Sequence, residues 1–203
     1  MYIIGITGGT GAGKTTAALA LQKLGAYILD CDEIYHELLQ ANTELSAKIK
    51  ERFIGVSANG VIDLKKLGKI VFNDPAALHE LSMISHPFII DEIDRKIALF
   101  KAQGGSIAVI DAIALIESGQ SHKCDITIGV TAPEDIRITR IMERDKLTHE
   151  QAHMRVNAQQ PDKFYADNCD YILEGTYDRQ EEFERIHRDF FIELLAGLAS
   201  HSE

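Results

Sequence analysis

The chain has 203 residues, 45% of them hydrophobic and 26% charged, which suits one medium-sized α/β domain or such a domain carrying an insertion. A formal net charge of −10 argues against a general nucleic-acid coat. Cys31, Cys124 and Cys169 are odd in number and lack a C-x-x-C pair, which argues against a disulfide framework or a cysteine zinc site. With no basic leader and no long apolar run, the expectation is a soluble, cytoplasmic protein that does not enter a membrane.

In chain order, the apolar run Tyr2–Thr7 predicts a strand buried on both faces. Residues 13–25 predict a helix ended by Gly25, and residues 26–30 a second strand. Residues 62–72 and 86–105 have helical spacing, and residues 40–105 offer no convincing strand. Further buried strands are expected at 106–112, 124–131 and 169–175, with helices at 133–145 and from Asp178 onward. Strands separated by helices predict a doubly wound, parallel, five-stranded sheet with a helical insertion.

The loop after the first strand, "GGTGAGKT" (8–15), fits G-x-x-x-x-G-K-[ST] through Gly8, Gly13, Lys14 and Thr15. Glycines let backbone N–H groups curl around a phosphate, and the following helix directs its positive end at the anion. Lys14 would reach the β- and γ-phosphates, and the Thr15 hydroxyl would ligate Mg²⁺. Asp111, at the end of a later strand, fits the second acidic element of such sites.

Arg137, Arg140 and Arg144 recur on one face of a helix, with Arg155 beyond. Beside a phosphate loop, such a row suits neutralising a triphosphate; the alternative is a solvated face paired with Glu134, Asp135 and Glu143. "HEQAH" (149–153) matches H-E-x-x-H, but its flanks are polar and Thr148 with Gln151 reads as a capping box, so a zinc site is not expected. Asp30 with Glu33 likewise reads as a helix cap.

The stretches "GITGGTGAGKTT" (5–16), "DCDEIYHEL" (30–38), "GVIDLKKLGKIVFNDP" (60–75), "SHP" (85–87), "RITRIMERDKLTHEQAHMRVNAQ" (137–159) and "CDYILEG" (169–175) together resemble the dephospho-CoA kinase family. The resemblance implies a P-loop kinase core (1–39, 106–139 and 160–203), a helical acceptor domain (40–105) and a small helical lid (140–159). It implies transfer of the ATP γ-phosphoryl group to the ribose 3′-hydroxyl of dephospho-CoA with Mg²⁺, by a monomer or weak homo-oligomer. ATP contacts are then expected from Gly8, Gly11, Ala12, Gly13, Lys14, Thr15, Thr16, Arg137, Arg140 and Arg144, with Lys14 and Arg140 also catalytic. Asp32 becomes the general base beside the acceptor hydroxyl, and His86, Arg155 and Gln159 join it as substrate-binding residues, Arg155 and Gln159 facing the acceptor or the phosphates.

One segment departs from the family pattern: "DAIALIE" (111–117) has Ile113 and Ala114 where relatives commonly have Pro-Leu. Residue 174 is Glu where Asn is common. The altered segment supports a second reading, a different small-molecule P-loop kinase for a nucleoside, a nucleotide or shikimate; a third is an ATP-binding regulatory module, against which Lys14, Asp32 and the arginine row count.

Overall fold

The structure is a computed structural model that describes residues 1–58, 60–71, 73–177 and 180–200. Its main sheet has five strands, β1 (Tyr2–Thr7), β2 (Tyr27–Asp30), β5 (Ile107–Asp111), β6 (Ile126–Thr131) and β7 (Tyr171–Glu174). They lie in the order β2-β5-β1-β6-β7, and β1 pairs in parallel with both β5 and β6. This is the parallel α/β architecture that the alternating runs predict. Because the strands run one way, the phosphate loop leaves the carboxyl edge at the centre of the sheet, where such folds place ligands.

Alternation along β1 and β6 explains how both faces are covered. Ile4, Ile6, Ile128 and Val130 point to one face and pack with α1 (Lys14–Lys23) and α9 (Gln180–Ser200) through Ala17, Leu21, Phe183 and Phe191. On the other face the sheet carries glycines. A Cβ on Gly5 would meet Leu115 at 2.5 Å, and one on Gly129 would meet Tyr165 of α8 (Asp162–Asn168) at 3.2 Å. Small residues there let bulky partners approach the backbone.

The chain divides into two compact units, residues 1–29 with 100–203 and residues 30–99. The second contains α2 (Cys31–Ala41), α3 (Thr43–Arg52), the two-stranded β3 (Ser57–Ala58) and β4 (Val61–Ile62), α4 (Leu64–Val71) and most of α5 (Pro75–Ala102). Its own core is built from Leu45, Ile49, Phe53, Val56, Leu67 and Val71. Short polar residues start its helices. Asn42 Oδ1 accepts from Leu45 N–H at 3.0 Å, and Asp74 Oδ1 accepts from Ala76 N–H at 2.9 Å, ahead of Pro75 at the first helical position.

Three expectations need correction. The 40–105 region does contain strands, the hairpin Ser57–Ile62, whose two-residue arms are too short to show a period of two. Ile62 belongs to β4, so α4 starts at Leu64; Phe72, in the expected helix, lies outside the described residues, as do Asp178 and Arg179 at the expected start of α9. Finally, α5 begins at Pro75 and runs through Pro87, which reads as a helix start in sequence. The proline removes the bond to the Met83 carbonyl, but both residues are exposed, so water can satisfy the group.

Candidate active site

The phosphate loop joins β1 to α1, and its glycines are demanded by geometry. Gly8, Gly11 and Gly13 have φ of 140°, 80° and 110°, which residues with a Cβ rarely adopt. Gly13 is the N-cap of α1 and brings no side-chain cap, so the positive end of the helix opens directly onto the loop. Lys14 Nζ donates to the carbonyls of Gly8 at 2.9 Å and Gly9 at 3.3 Å. The ammonium is thus folded over the loop that its own backbone forms.

The three arginines of α6 (Glu134–Asp145) share a helix but not an environment. Arg137 is 5% exposed and donates from Nε to the Thr10 carbonyl at 3.1 Å and from Nη2 to Gln159 Oε1 at 2.8 Å. Arg140 donates to the Gly11 carbonyl at 3.0 Å and to the Tyr177 carbonyl. Arg144 is exposed and makes a two-pronged pair with Asp145, at 2.7 and 3.0 Å, while Arg155 of α7 (His149–Asn157) reaches the same carboxylate. Hydrogen bonds from Arg144, reinforced by Arg155, hold the Asp145 carboxyl below its ordinary pKa.

Gln159 also closes on the loop. Its Oε1 accepts from Thr10 N–H at 2.8 Å, and its Nε2 donates to Thr10 Oγ1 at 2.6 Å. The structure therefore gathers Lys14, Arg137, Arg140 and Gln159 at the phosphate loop, and brings Arg144 and Arg155 together on Asp145.

Asp111 ends β5 in register with Ile6, beside the start of the loop, and is buried. Thr15 lies exposed in the first turn of α1. A hydroxyl and a carboxylate are hard oxygen donors of the kind Mg²⁺ takes. After Asp111 the "AIALIE" stretch turns back along the sheet: Thr7 Oγ1 donates to the Ile113 carbonyl at 3.0 Å, and Leu115 is fully buried.

Asp32 and His86 belong to the second compact unit. Asp30 caps α2 as its sequence suggests, Oδ1 accepting from Asp32 N–H at 2.8 Å and Glu33 N–H at 3.1 Å. That cap orients the first turn and leaves the Asp32 side chain exposed. His86 sits inside α5, not at its start, and burial, with the nearby His79, lowers its pKa from 6.5.

Elsewhere, α7 begins with the expected Thr148–Gln151 capping box. His153 Nε2 lies 3.2 Å from Glu134 Oε1, and among the described residues no group of three or more His, Cys, Asp or Glu is placed to hold a metal ion. Burial pushes the Cys124 thiol up to about 12 and Cys169 to about 11, which leaves both poor nucleophiles. No helix among the described residues is long and apolar enough to cross a membrane.

Sequence reasoning missed three contributors. Thr10 engages Gln159 and Arg137. Gly9 has no room for a side chain, since a Cβ would lie 2.1 Å from Arg137 Nη2. Gly175 follows β7 and packs on Ala12 of the loop. Only the last carries a sequence signal, a glycine directly after a strand.

Comparison with known proteins places the chain among relatives of one activity. The family profile described as Dephospho-CoA kinase matches residues 2–180. A dephospho-CoA kinase of Geobacter sulfurreducens is 34% identical over 187 residues, covering 91% of this chain and 94% of that protein. One from Lactobacillus acidophilus is 33% identical, covering 86% and 88%. Among solved structures, the dephospho-CoA kinase of Campylobacter jejuni superposes with a TM-score of 0.67 at 25% identity, covering 96% of this chain and 98% of that one. Shikimate kinase from Acinetobacter baumannii, at a TM-score of 0.54 and 18% identity over 100% and 95% of the two chains, shares the fold.

Proposed function

The chain belongs to the dephospho-CoA kinase family, and from that premise we propose that it transfers the ATP γ-phosphoryl group to the ribose 3′-hydroxyl of dephospho-CoA, giving ADP and CoA. The observation that carries the nucleotide half is the glycine loop between β1 and α1, with Lys14 folded over it and Arg140 on its Gly11 carbonyl. Phosphoryl transfer needs mostly positioning and charge neutralisation, and these residues supply both.

The roles divide as follows. The first-turn amides of α1 and Lys14 hold the β- and γ-phosphates, with Gly8, Gly11, Ala12, Gly13, Thr15 and Thr16 forming the loop around them. Arg140 lies at the loop and neutralises developing charge. Arg144 and Arg155 exchange Asp145 for phosphate oxygens when nucleotide is bound; Asp145 keeps the two guanidiniums adjacent until then. Thr15 and Asp111 would hold Mg²⁺, whose charge would offset that of the phosphates. Asp32 orients the acceptor hydroxyl and takes its proton, since a hydroxyl is a poor nucleophile by itself. His86, largely uncharged near neutral pH, serves as an acceptor contact.

On this reading residues 1–39, 106–139 and 160–203 are the nucleotide core, although residues 30–39 pack within the second compact unit, 40–105 the acceptor domain and 140–159 a lid that limits hydrolysis of the γ-phosphate. The protein works in the cytoplasm. The test is ADP release from MgATP with dephospho-CoA, AMP, uridine or shikimate as acceptor. Turnover with dephospho-CoA and a product one phosphate heavier supports the assignment. Turnover with another acceptor, or only slow acceptor-independent hydrolysis, overturns it.

A further inference from the structure

One side-chain amide holds the phosphate loop from outside. Gln159 Oε1 accepts from Thr10 N–H and from Arg137 Nη2, both at 2.8 Å, and its Nε2 donates to Thr10 Oγ1 at 2.6 Å. Arg137 closes the ring by donating from Nε to the Thr10 carbonyl at 3.1 Å. The N–H, carbonyl and hydroxyl of Thr10 are all engaged by two residues 127 and 149 positions away. Thr10 and Arg137 are 8% and 5% exposed, so water cannot readily replace these bonds.

An amide side chain can accept at one end and donate at the other without carrying charge. Here it accepts twice and donates once to neighbours within the loop's surroundings. The Thr10 N–H is spent on Gln159, so it is not left to donate to a phosphate. That fixes which amides of the loop remain for the anion. Gly9 completes the fit, because a Cβ there would lie 2.1 Å from Arg137 Nη2 and 3.0 Å from Gln159 Oε1.

We infer that Gln159 is a positioning residue for the phosphate loop, acting on bound ATP through Thr10 and Arg137, and is not a contact to the acceptor. Family resemblance points this residue toward the acceptor or the phosphates; its hydrogen bonds point it at the loop. The segment that follows α7 thereby sets the loop's shape. The inference rests on the reading above that this loop binds ATP.

The test is calorimetric titration of MgADP into the wild type, Gln159→Leu, Thr10→Val, their double variant and Thr10→Ser, followed by steady-state kinetics. Gln159→Leu is expected to weaken MgADP about tenfold, as loss of hydrogen bonds to a charged and a backbone partner implies. Thr10→Val weakens it less, Thr10→Ser restores most of what Thr10→Val loses, and the double variant is no weaker than Gln159→Leu. The KM for ATP rises while the KM for dephospho-CoA stays within about twofold. Unchanged MgADP affinity in Gln159→Leu, a raised acceptor KM with an unaltered KM for ATP, or multiplying effects of the two sites would each overturn the inference. Should Gln159→Leu fail to fold, Thr10→Val against Thr10→Ser carries the test by itself. The titration contains no acceptor, so a wild type that binds MgADP without phosphorylating dephospho-CoA would remove the acceptor assignment and leave this inference standing. A wild type that does not bind MgADP would remove both.

Discussion

Gly175 is where a single methyl group should disable the nucleotide site. It follows β7, donates its N–H to the Thr131 carbonyl at 2.7 Å, and faces Ala12 of the phosphate loop. A Cβ at this position would lie 1.8 Å from the Ala12 carbonyl oxygen and 3.4 Å from that of Thr131. Real Cβ atoms essentially never come within 3.0 Å of another heavy atom, so the loop and the strand end must part by at least 1.2 Å. Both sides of the contact are backbone, so no rotamer relieves it. Overpacking of this kind costs about 1–3 kcal/mol, and each kcal/mol lowers Tm by about 2–4 °C in a chain of this size. A loop displaced by about 1 Å costs on the order of 10²-fold in transfer. Gly175→Ala should therefore lower Tm modestly and weaken MgADP, read by thermal unfolding and calorimetry, with a larger loss in kcat/KM. Wild-type nucleotide affinity in a folded Gly175→Ala would refute the argument that this glycine makes room for the loop.

Asp32→Asn should retain MgADP binding in calorimetry while transfer to dephospho-CoA falls by about 10²–10⁴; near-normal turnover would remove Asp32 from the chemistry. His86 has a pKa lowered from 6.5, so as the pH falls below that value the unfolded chain takes up its proton before the folded one does and stability declines. Replacing it as His86→Gln should flatten that slope in urea midpoints compared between about pH 7.5 and pH 5.5. Gln120 is 5% exposed and both polar atoms of its side chain lack hydrogen-bond partners, so Gln120→Leu should raise the unfolding free energy by about 1–2 kcal/mol, measured by urea denaturation. A loss of stability there would mean that the amide is satisfied by bound water.

What the sequence made legible is what local chemistry controls. Apolar runs such as Tyr2–Thr7 and Ile126–Thr131 named their strands, and the glycine spacing around Lys14 named the phosphate loop. The caps at Asp30 and Thr148 were readable because a short polar side chain meets amides two or three residues on. The rest depends on partners distant in the chain. The row Arg137, Arg140, Arg144 reads as one face, yet the first is buried under the loop and the last pairs with its neighbour Asp145. Nothing near Gln159 in sequence reveals Thr10 as its partner. Pro87 looks like a boundary and is not one, because the bond it forfeits faces water. The Ser57–Ile62 hairpin is too short to carry a period.

Incubating the purified protein with MgATP and dephospho-CoA, and following both products by mass, reads the proposed transfer itself. One ADP is expected for each CoA formed, with the new phosphate on the ribose 3′-oxygen and no comparable turnover with AMP, uridine or shikimate. ADP release that is indifferent to dephospho-CoA, or phosphate appearing on a different acceptor, would contradict it.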